Sequence, residues 1–338
     1  MEVSLLQTGD PRWDDLLAST PHDFYHLPAY ADVAAQEEGG TSAGLLVSTG
    51  DRSLLLPLVL REIAASGRDA TSPYGYPGPL LSAGCDTGFL ETALRAGAQH
   101  LADLGFVSLF VRMHPLLCPD SPRGVGTVVH HPATVIVDLH EDDDQWWAQM
   151  RKSHRQQVRR AVAAGHSAYV DEAFRSFDFF KTTYHRTMER LGASPAYYFS
   201  DGYFDALRSA LGDRLKLVVL EQGGRVWAAG LFVETNGIVQ SHLSADDGSH
   251  RRGGPRKLLY AFVRDWAKAR GDRWFHLGGG ATAEPGLLAF KQGFSPERRP
   301  FNTLRVILRE EEYIRLTRAR GADPTDSSHF FPAYRRHS

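Results

Sequence analysis

The sequence predicts an α/β fold of mixed α and β elements, built as two αβ units in tandem, and three observations carry that reading. Strand-like and helix-like segments alternate along the whole chain, which excludes a helical bundle and a β-sandwich. At 338 residues the chain exceeds the size at which a single core keeps growing, so two domains of roughly 150 to 180 residues are expected. The second half repeats the element order of the first, although no residue-level repeat is visible. A composition of 42% hydrophobic and 23% charged residues, with 18 Phe and 12 Tyr, is that of a globular protein without a disordered middle.

In the first half, the strand EVSLL is followed by helices at Arg12 to Ser19 and Ala29 to Glu38, then by the strands AGLLVS and SLLLPLVLRE. A helix at Phe89 to Leu104 and the strands FVSLFVRM and ATVIVDL complete it. Next comes EDDDQWWAQMRKSHRQQVRRAVAAG, a single helical run whose acidic start, basic body and glycine stop suit both ends of the helix dipole. The second half opens with the strand HSAYVDE and helices at Phe174 to Leu191 and Gly202 to Leu211. The strands LKLVVLEQ, RVWAAGLFVET and GIVQSHLSA form a meander, because Gly223-Gly224 and Asn236-Gly237 are hairpin turns. A helix from Pro255 to Arg270 follows, opened by a proline whose missing N–H costs nothing there. The strand RWFHL, a short helix around Pro285 to Phe290 and the strand FNTLRVIL end the half. The division expected is 1–140, a linking basic helix at 141–165, 166–318, and a frayed, flexible tail at 319–338.

Cys85 and Cys118 are the cysteines, too few for a disulfide framework or a zinc cluster, so a reducing compartment is expected. The spacing of His130, His131, His140 and His154 matches no metal site, and none is expected. The N-terminal residues lack the basic-then-apolar pattern of a leader, and no run approaches the ~18 apolar residues of a membrane span. The expectation is a cytoplasmic protein without integral membrane contact. Net charge is −2, so anion binding must come from the local patches RKSHRQQVRR and SHRRGGPRK rather than from a global field. No DNA partner is expected.

Three segments carry candidate chemistry. In the linking helix, Trp147, Met150, His154, Val158 and Ala161 recur at spacings of three and four and mark the buried face, which makes His154 a packing residue. Lys152, Arg155 and Arg159 form a basic stripe at its edge. A solvated face accounts for Lys152 and Arg159 as well as a ligand does, whereas Arg155 borders the apolar face. In SHRRGGPRKLLY, a basic glycine loop holding Arg251, Arg252 and Gly254 leads into a helix start with Arg256 and Lys257, a pattern suited to phosphate. In FHLGGG (275–280) and GLLAFKQGFSP (286–296), a strand ends in open glycine backbone and the next helix presents Phe290 and Lys291.

On RKSHRQQVRRAVAAG, RKLLYAFVRDWAKARG, FHLGGG with LLAFKQGF, and TSPYGYPGPLL (71–81), the sequence resembles the Fem-type transferases, aminoacyl-tRNA-dependent ligases of the GNAT superfamily. The resemblance covers most of the chain and implies two tandem acyltransferase-like domains with curved mixed sheets. It implies that Arg155 matches the family arginine that contacts the acceptor; Lys152 and Ser241 are the other acceptor-binding candidates. Phe290 and Lys291 match the Phe-Lys pair near the reacting ester and the 3′ adenosine of tRNA. Ser241 and His242 stand where cell-wall members tend to carry tyrosines, and no heptad run marks a coiled-coil arm. The first departure leaves acceptor recognition open; the missing arm and the compact chain imply a free-standing enzyme acting on a small soluble amine, as in antibiotic pathways, with a cell-wall precursor as the other acceptor.

An aminoacyl ester is already activated, so positioning supplies most of the acceleration expected. Lys291 is the expected cation at the developing oxyanion, and His242, Asp246 and Asp247 are the candidate proton acceptors. Aminoacyl-tRNA, held by Phe290, Arg251, Arg252, Gly254, Arg256 and Lys257, serves as donor substrate, and no separate cofactor is expected. The alternative is an acyl-CoA-dependent N-acyltransferase. Arg251 and Gly254 fit the Arg-x-x-Gly-x-Gly/Ala pyrophosphate loop, but Arg256 fills its last small position. A non-catalytic tRNA- or nucleotide-binding module is the third reading.

Overall fold

The computed structural model describes residues 1–63, 67–118, 122–248, 255–279, 285–324 and 330–336. Along the chain, β1 (Glu2–Leu6), α1 (Pro11–Ser19), α2 (Pro28–Glu38), β2 (Thr41–Thr49), β3 (Arg52–Glu62), β4 (Arg68–Thr71) and β5 (Leu80–Leu81) precede α3 (Thr87–Asp103), β6 (Phe106–Arg112) and β7 (Thr127–Asp138). Then come α4 (Asp143–Gln149), α5 (Lys152–Ala163), β8 (Ser167–Val170), α6 (Phe177–Leu191), α7 (Asp201–Leu211), β9 (Leu215–Gln222), β10 (Arg225–Thr235) and β11 (Ile238–Asp246). The last elements are α8 (Arg256–Ala269), β12 (Trp274–Gly278), α9 (Pro285–Lys291), β13 (Arg298–Ile307) and α10 (Glu310–Ala319).

Two compact units result, one of residues 1–131 with 300–338 and one of 132–299. The first has a sheet ordered β1-β2-β3-β4-β6-β13, in which the β4–β6 pair is parallel. The second is ordered β8-β9-β10-β11-β12-β7, in which the β11–β12 pair is parallel. The element orders correspond: a meander, a helix (α3 or α8), a parallel strand, and a final antiparallel strand. This bears out the mixed α/β expectation.

The boundaries differ from 1–140 and 166–318 for a reason of strand pairing. The final strand of each sheet comes from the other half of the sequence. Thr303 to Ile307 of β13 pair with β6 in the first unit, and Val135 to Asp138 of β7 pair with β12 in the second. The linking segment is an integral part of the second unit.

The predicted helix at 141–165 is two helices. Asp142 caps α4 through the N–H groups of Asp144 and Gln145, and the chain turns extended at Met150 and Arg151. There the Arg151 N–H bonds the Gly293 carbonyl at 2.9 Å, a long-range partner no local pattern reveals. Met150, His154, Val158 and Ala161 are buried as expected, but Trp146 rather than Trp147 is the buried indole. The break resets the helical phase between them.

The tail is not frayed throughout. Tyr334 is buried, its hydroxyl contacting Ser108 at 2.8 Å and Asp69 at 3.1 Å, and Arg335 Nε reaches Asp69 at 2.5 Å. Asp69 is fully buried and also accepts from Arg61 at 2.9 Å, so the C-terminal residues supply partners to a carboxylate cut off from water. The helix α10, absent from the sequence reading, opens with Glu310, Glu311 and Glu312 in its first turn, which suits the positive helix end.

Each core follows from strand alternation. Leu45 and Val47 of β2 and Leu54, Leu56 and Leu58 of β3 face Leu90, Leu94 and Leu101 of α3. In the second unit Val218, Phe232, Val239 and Phe275 meet Leu259, Tyr260 and Val263 of α8 and Val158 of α5.

Candidate active site

The first turn of α8 has no acidic residue and begins with Arg256 and Lys257, two cations at the positive end of a helix. In the first unit, α3 occupies the corresponding place, and its start is closed by Asp86, whose carboxylate accepts the Phe89 N–H at 2.7 Å. One helix start carries its own anion; the other carries like charge. Arg256 donates to Asp246 at 2.9 Å and lies 4.5 Å over the Phe290 ring, while the Lys257 ammonium donates to Gln157 and lies 5.7 Å from that ring.

Phe290 is fixed from below. Its ring meets Tyr260 and Phe294 edge-on, both at 5.2 Å. His154 donates from Nε2 to the Phe290 carbonyl at 2.9 Å and packs edge-on against Phe294 at 4.9 Å. The chain can turn there because residue 293 is glycine: a Cβ would stand 2.2 Å from His154 Nε2. Lys291 ends α9, and its ammonium donates to the Gly279 carbonyl just past β12 at 2.5 Å.

A β-bulge sets which side chains of β11 face this cluster. The register passes from Leu231–Leu243 directly to Phe232–Ser241, so His242 is the extra residue. Ser241 and Ser244, three apart, therefore share one face, and their hydroxyls approach the Tyr260 hydroxyl at 3.3 and 3.0 Å. His242 points the other way, to the Tyr203 hydroxyl of α7 at 2.9 Å. The β11–β12 pairing covers only Ile238–Gln240 with Trp274–His276, whereas β11 runs on along β10 to Asp246. Ser241 onward thus borders a gap in the ladder among the described residues.

The cluster is electropositive. Burial first, then Arg256 and Arg151, lower the Lys257 pKa, and burial followed by Arg151 lowers that of Arg298. His154 is pushed down to about 4, chiefly by burial, with Lys257 and Arg151 adding to the effect. His242 falls to about 3 through burial alone, which leaves it neutral and poorly basic.

The structure therefore brings together Lys291, Phe290, Arg256, Lys257 and, through Tyr260, Ser241. It separates them from His242. Arg155 is engaged elsewhere, donating to the carbonyls of Trp147, Ala148 and Met150 at 3.1, 2.6 and 2.6 Å and so closing the C-terminal end of α4. Lys152 is exposed at the start of α5. Arg251, Arg252 and Gly254 lie outside the described residues. Asp246 and Asp247, candidate proton acceptors, pair with Arg256 and Arg225 instead. Sequence reasoning missed Tyr260, Phe294, Gln157, Arg151 and Arg298. The spacing Tyr260, Phe290, Phe294 carries no single-segment signal, although Phe290 and Phe294 at i, i+4 hint at a shared face.

Residues 148–292 match the acetyltransferase (GNAT) domain model, a span that lies within the second unit and contains most of the cluster. No curated protein matches the chain in sequence. Among solved structures, the chain is similar to FemX, with a TM-score of 0.66, 13% identity and coverage of 93% of this chain and 99% of that one. It is also similar to the C-terminal domain of a putative lysylphosphatidylglycerol synthetase from Agrobacterium fabrum, with a TM-score of 0.54, 15% identity and coverage of 91% and 95%. L-PGS from Bacillus licheniformis is similar at a TM-score of 0.54, with 12% identity and coverage of 89% and 92%.

Proposed function

We propose that this chain, an acyltransferase of the GNAT superfamily with the fold of the Fem-type transferases, transfers an aminoacyl group from tRNA to an amine. The observation that carries the reading is the cationic start of α8 beside the Phe290 ring. Arg256, Lys257 and Arg151 present charge for phosphates, while the Arg256 guanidinium over the Phe290 ring offers a planar cationic surface on which a terminal base can stack. The likeness of fold to FemX and to the lysylphosphatidylglycerol synthetase domain supports an aminoacyl-tRNA donor.

In this mechanism the neutral acceptor amine attacks the ester carbonyl. The C–N bond forms, negative charge develops on the carbonyl oxygen, the C–O bond to the tRNA 3′ oxygen breaks, and the amine proton is lost as that oxygen gains one. An α-amine with a pKa near 8 is partly neutral at pH 7, so no strong enzymic base is required. Lys291 supplies the cation at the oxyanion, and the Ser241–Tyr260–Ser244 hydroxyls line the route for the proton. This assigns the proton role away from His242, whose imidazole is buried against Tyr203. Arg155 acts by holding α4 against α5. The acceptor is a small soluble amine, such as a natural-product intermediate, or a cell-wall precursor, and the reaction takes place in the cytoplasm without a further cofactor.

The match of 148–292 to the acetyltransferase model favours a second reading, with a coenzyme A thioester as donor at the same helix start. Purified enzyme given acceptor amine and either charged tRNA or acyl-CoA decides between them. Product that needs charged tRNA and disappears after ribonuclease treatment supports the first; product with acyl-CoA alone replaces it by the second.

A further inference from the structure

Across Asp246 from the α8 cluster, α6 and the end of β11 enclose an open groove of about 390 Å3. Asp178, Phe179, Thr182, Thr183, Arg186 and Arg190 line it from α6, and Asp246 and Asp247 from β11 and the residue beyond it. The three aspartates are already matched: Asp178 by Lys181 at 3.4 Å, Asp247 by Arg225 at 2.7 Å, and Asp246 by Arg256 at 2.9 Å and the Gly248 N–H at 3.1 Å. The two arginines are matched less fully. Arg186 has no hydrogen-bonded or ion-paired partner among the described residues, and Arg190 makes one long ion pair, at 3.6 Å to the Asp246 Oδ1 that also accepts the Gly248 N–H. Arg186 and Arg190 stand at i, i+4, so their charges repel across one helical turn, an arrangement that an anion between them reverses. Thr182, one turn earlier on the same face, adds a hydroxyl, and Phe179 an apolar wall.

We propose that this groove is an anion-binding subsite that takes the carboxylate or phosphate of the acceptor, held between Arg186 and Arg190. The assignment of the anion to the acceptor rests on the acyl-transfer reading, in which the donor's phosphates occupy the α8 side. Two planar guanidiniums with a hydroxyl beside them recognise a tetrahedral or planar oxyanion, and neither lysine nor a lone arginine reproduces that fork. Asp246 links the two sides. It is shared by Arg190 in the groove and by Arg256 over Phe290, so an anion that draws Arg190 away leaves Asp246 to Arg256.

Calorimetric titration of the full chain with inorganic phosphate and with N-acetylglycine, a carboxylate without phosphate, tests the groove directly. Binding by one of the two probes identifies the acceptor group as phosphate or carboxylate. The Arg186→Gln with Arg190→Gln protein should bind that probe at least about ten-fold more weakly, whereas Lys257→Gln should leave the groove event intact and remove only binding at the α8 side. Circular dichroism and the unfolding midpoint should be unchanged in the arginine variant, because both side chains are exposed. Equal probe binding by the wild type and the arginine variant overturns the groove, as does loss of all binding in Lys257→Gln. The donor experiment is separate: absence of transfer from charged tRNA and from acyl-CoA sinks the catalytic reading, yet the groove stands if the arginine variant alone loses the probe.

Discussion

Gly293→Ala should destabilise the second unit by about 3 kcal/mol, and the size of the effect follows from one contact. An added Cβ would lie 2.2 Å from His154 Nε2, 2.3 Å from Cε1 and 2.6 Å from Cδ2. The imidazole cannot retreat freely, since it is buried, packs edge-on against Phe294 at 4.9 Å and lies 5.8 Å from Phe290. Forcing a methyl into such a site costs about 1–3 kcal/mol in off-rotamer side chains and backbone shifts. The shift also breaks the His154–Phe290 hydrogen bond, and leaving its half-buried groups unpaired costs about 1–3 kcal/mol more. Urea unfolding followed by tryptophan fluorescence measures the loss; with a slope of about 3 kcal/mol per M, the midpoint falls by roughly 1 M. His154→Ala removes the atoms that clash, so adding Gly293→Ala to it should cost at least about 1 kcal/mol less than in the wild type. A Gly293→Ala protein within about 0.5 kcal/mol of wild type, or full additivity with His154→Ala, would refute the packing argument.

Lys257→Gln should weaken binding of charged tRNA and reduce its salt slope by about one unit or slightly less, with kcat at saturation little changed, whereas Lys291→Met should depress kcat more than it raises the donor KM. Filter binding at several salt concentrations and single-turnover rates separate the two; an unchanged salt slope removes Lys257 from the phosphate contacts. Acid should destabilise the fold through its buried histidines. His154 is held near 4, and His26 and His242 near 3, against an ordinary 6.5, so the unfolded chain takes up protons first. Their contribution is complete above about pH 6.5 and is lost as pH falls toward 4, a trend that a flat melting temperature over this range would contradict. Asp272 behaves oppositely. Burial, then Glu234, raise its pKa to about 6, so its contribution is present below about 3.8 and lost as pH rises through 6. Asp272→Asn should therefore raise the melting temperature at pH 7.5 but not at pH 4, and an equal change at both would reject the assignment. Deleting residues 331–338 should cost about 3 kcal/mol by stripping Asp69 of Tyr334 and Arg335; a truncated protein as stable as the full chain would show that Arg61 alone suffices.

What the sequence made legible was local. The turns at Gly223-Gly224 and Asn236-Gly237 have positive φ at every central residue, 58°, 80°, 47° and 75°, as their residue types require, and the β9–β10–β11 meander follows. Phe290, Lys291, Arg256 and Lys257 were likewise legible as candidates, since a helix start rich in cations and a strand ending in glycines are chemical statements made within a few residues, and the structure places Arg256 and Lys257 beside the Phe290 ring. Their role in binding tRNA is the part that the proposed experiments address.

The misreadings share one cause. Periodicity across Trp147 to Ala161 gives a continuous helix, but the Arg151 N–H finds the Gly293 carbonyl, 142 positions away in the numbering, and the helix breaks there. Counting outward in twos along β11 puts Ser241 and Ser244 on opposite faces, and only the pairing with β10 reveals that His242 is looped out between them. The tail reads as polar, yet Asp69, buried far from it in sequence, draws in Tyr334 and Arg335. Strand and helix propensity, turn chemistry and helix-end charge act over a few residues, so the sequence alone determined most of the elements, their order and the α/β class, though not α10 or the break between α4 and α5. Which strands close each sheet, which way Arg155 and His242 point, and which cations meet around Phe290 depend on hydrogen bonds and desolvation between distant segments, and those only the tertiary structure decided.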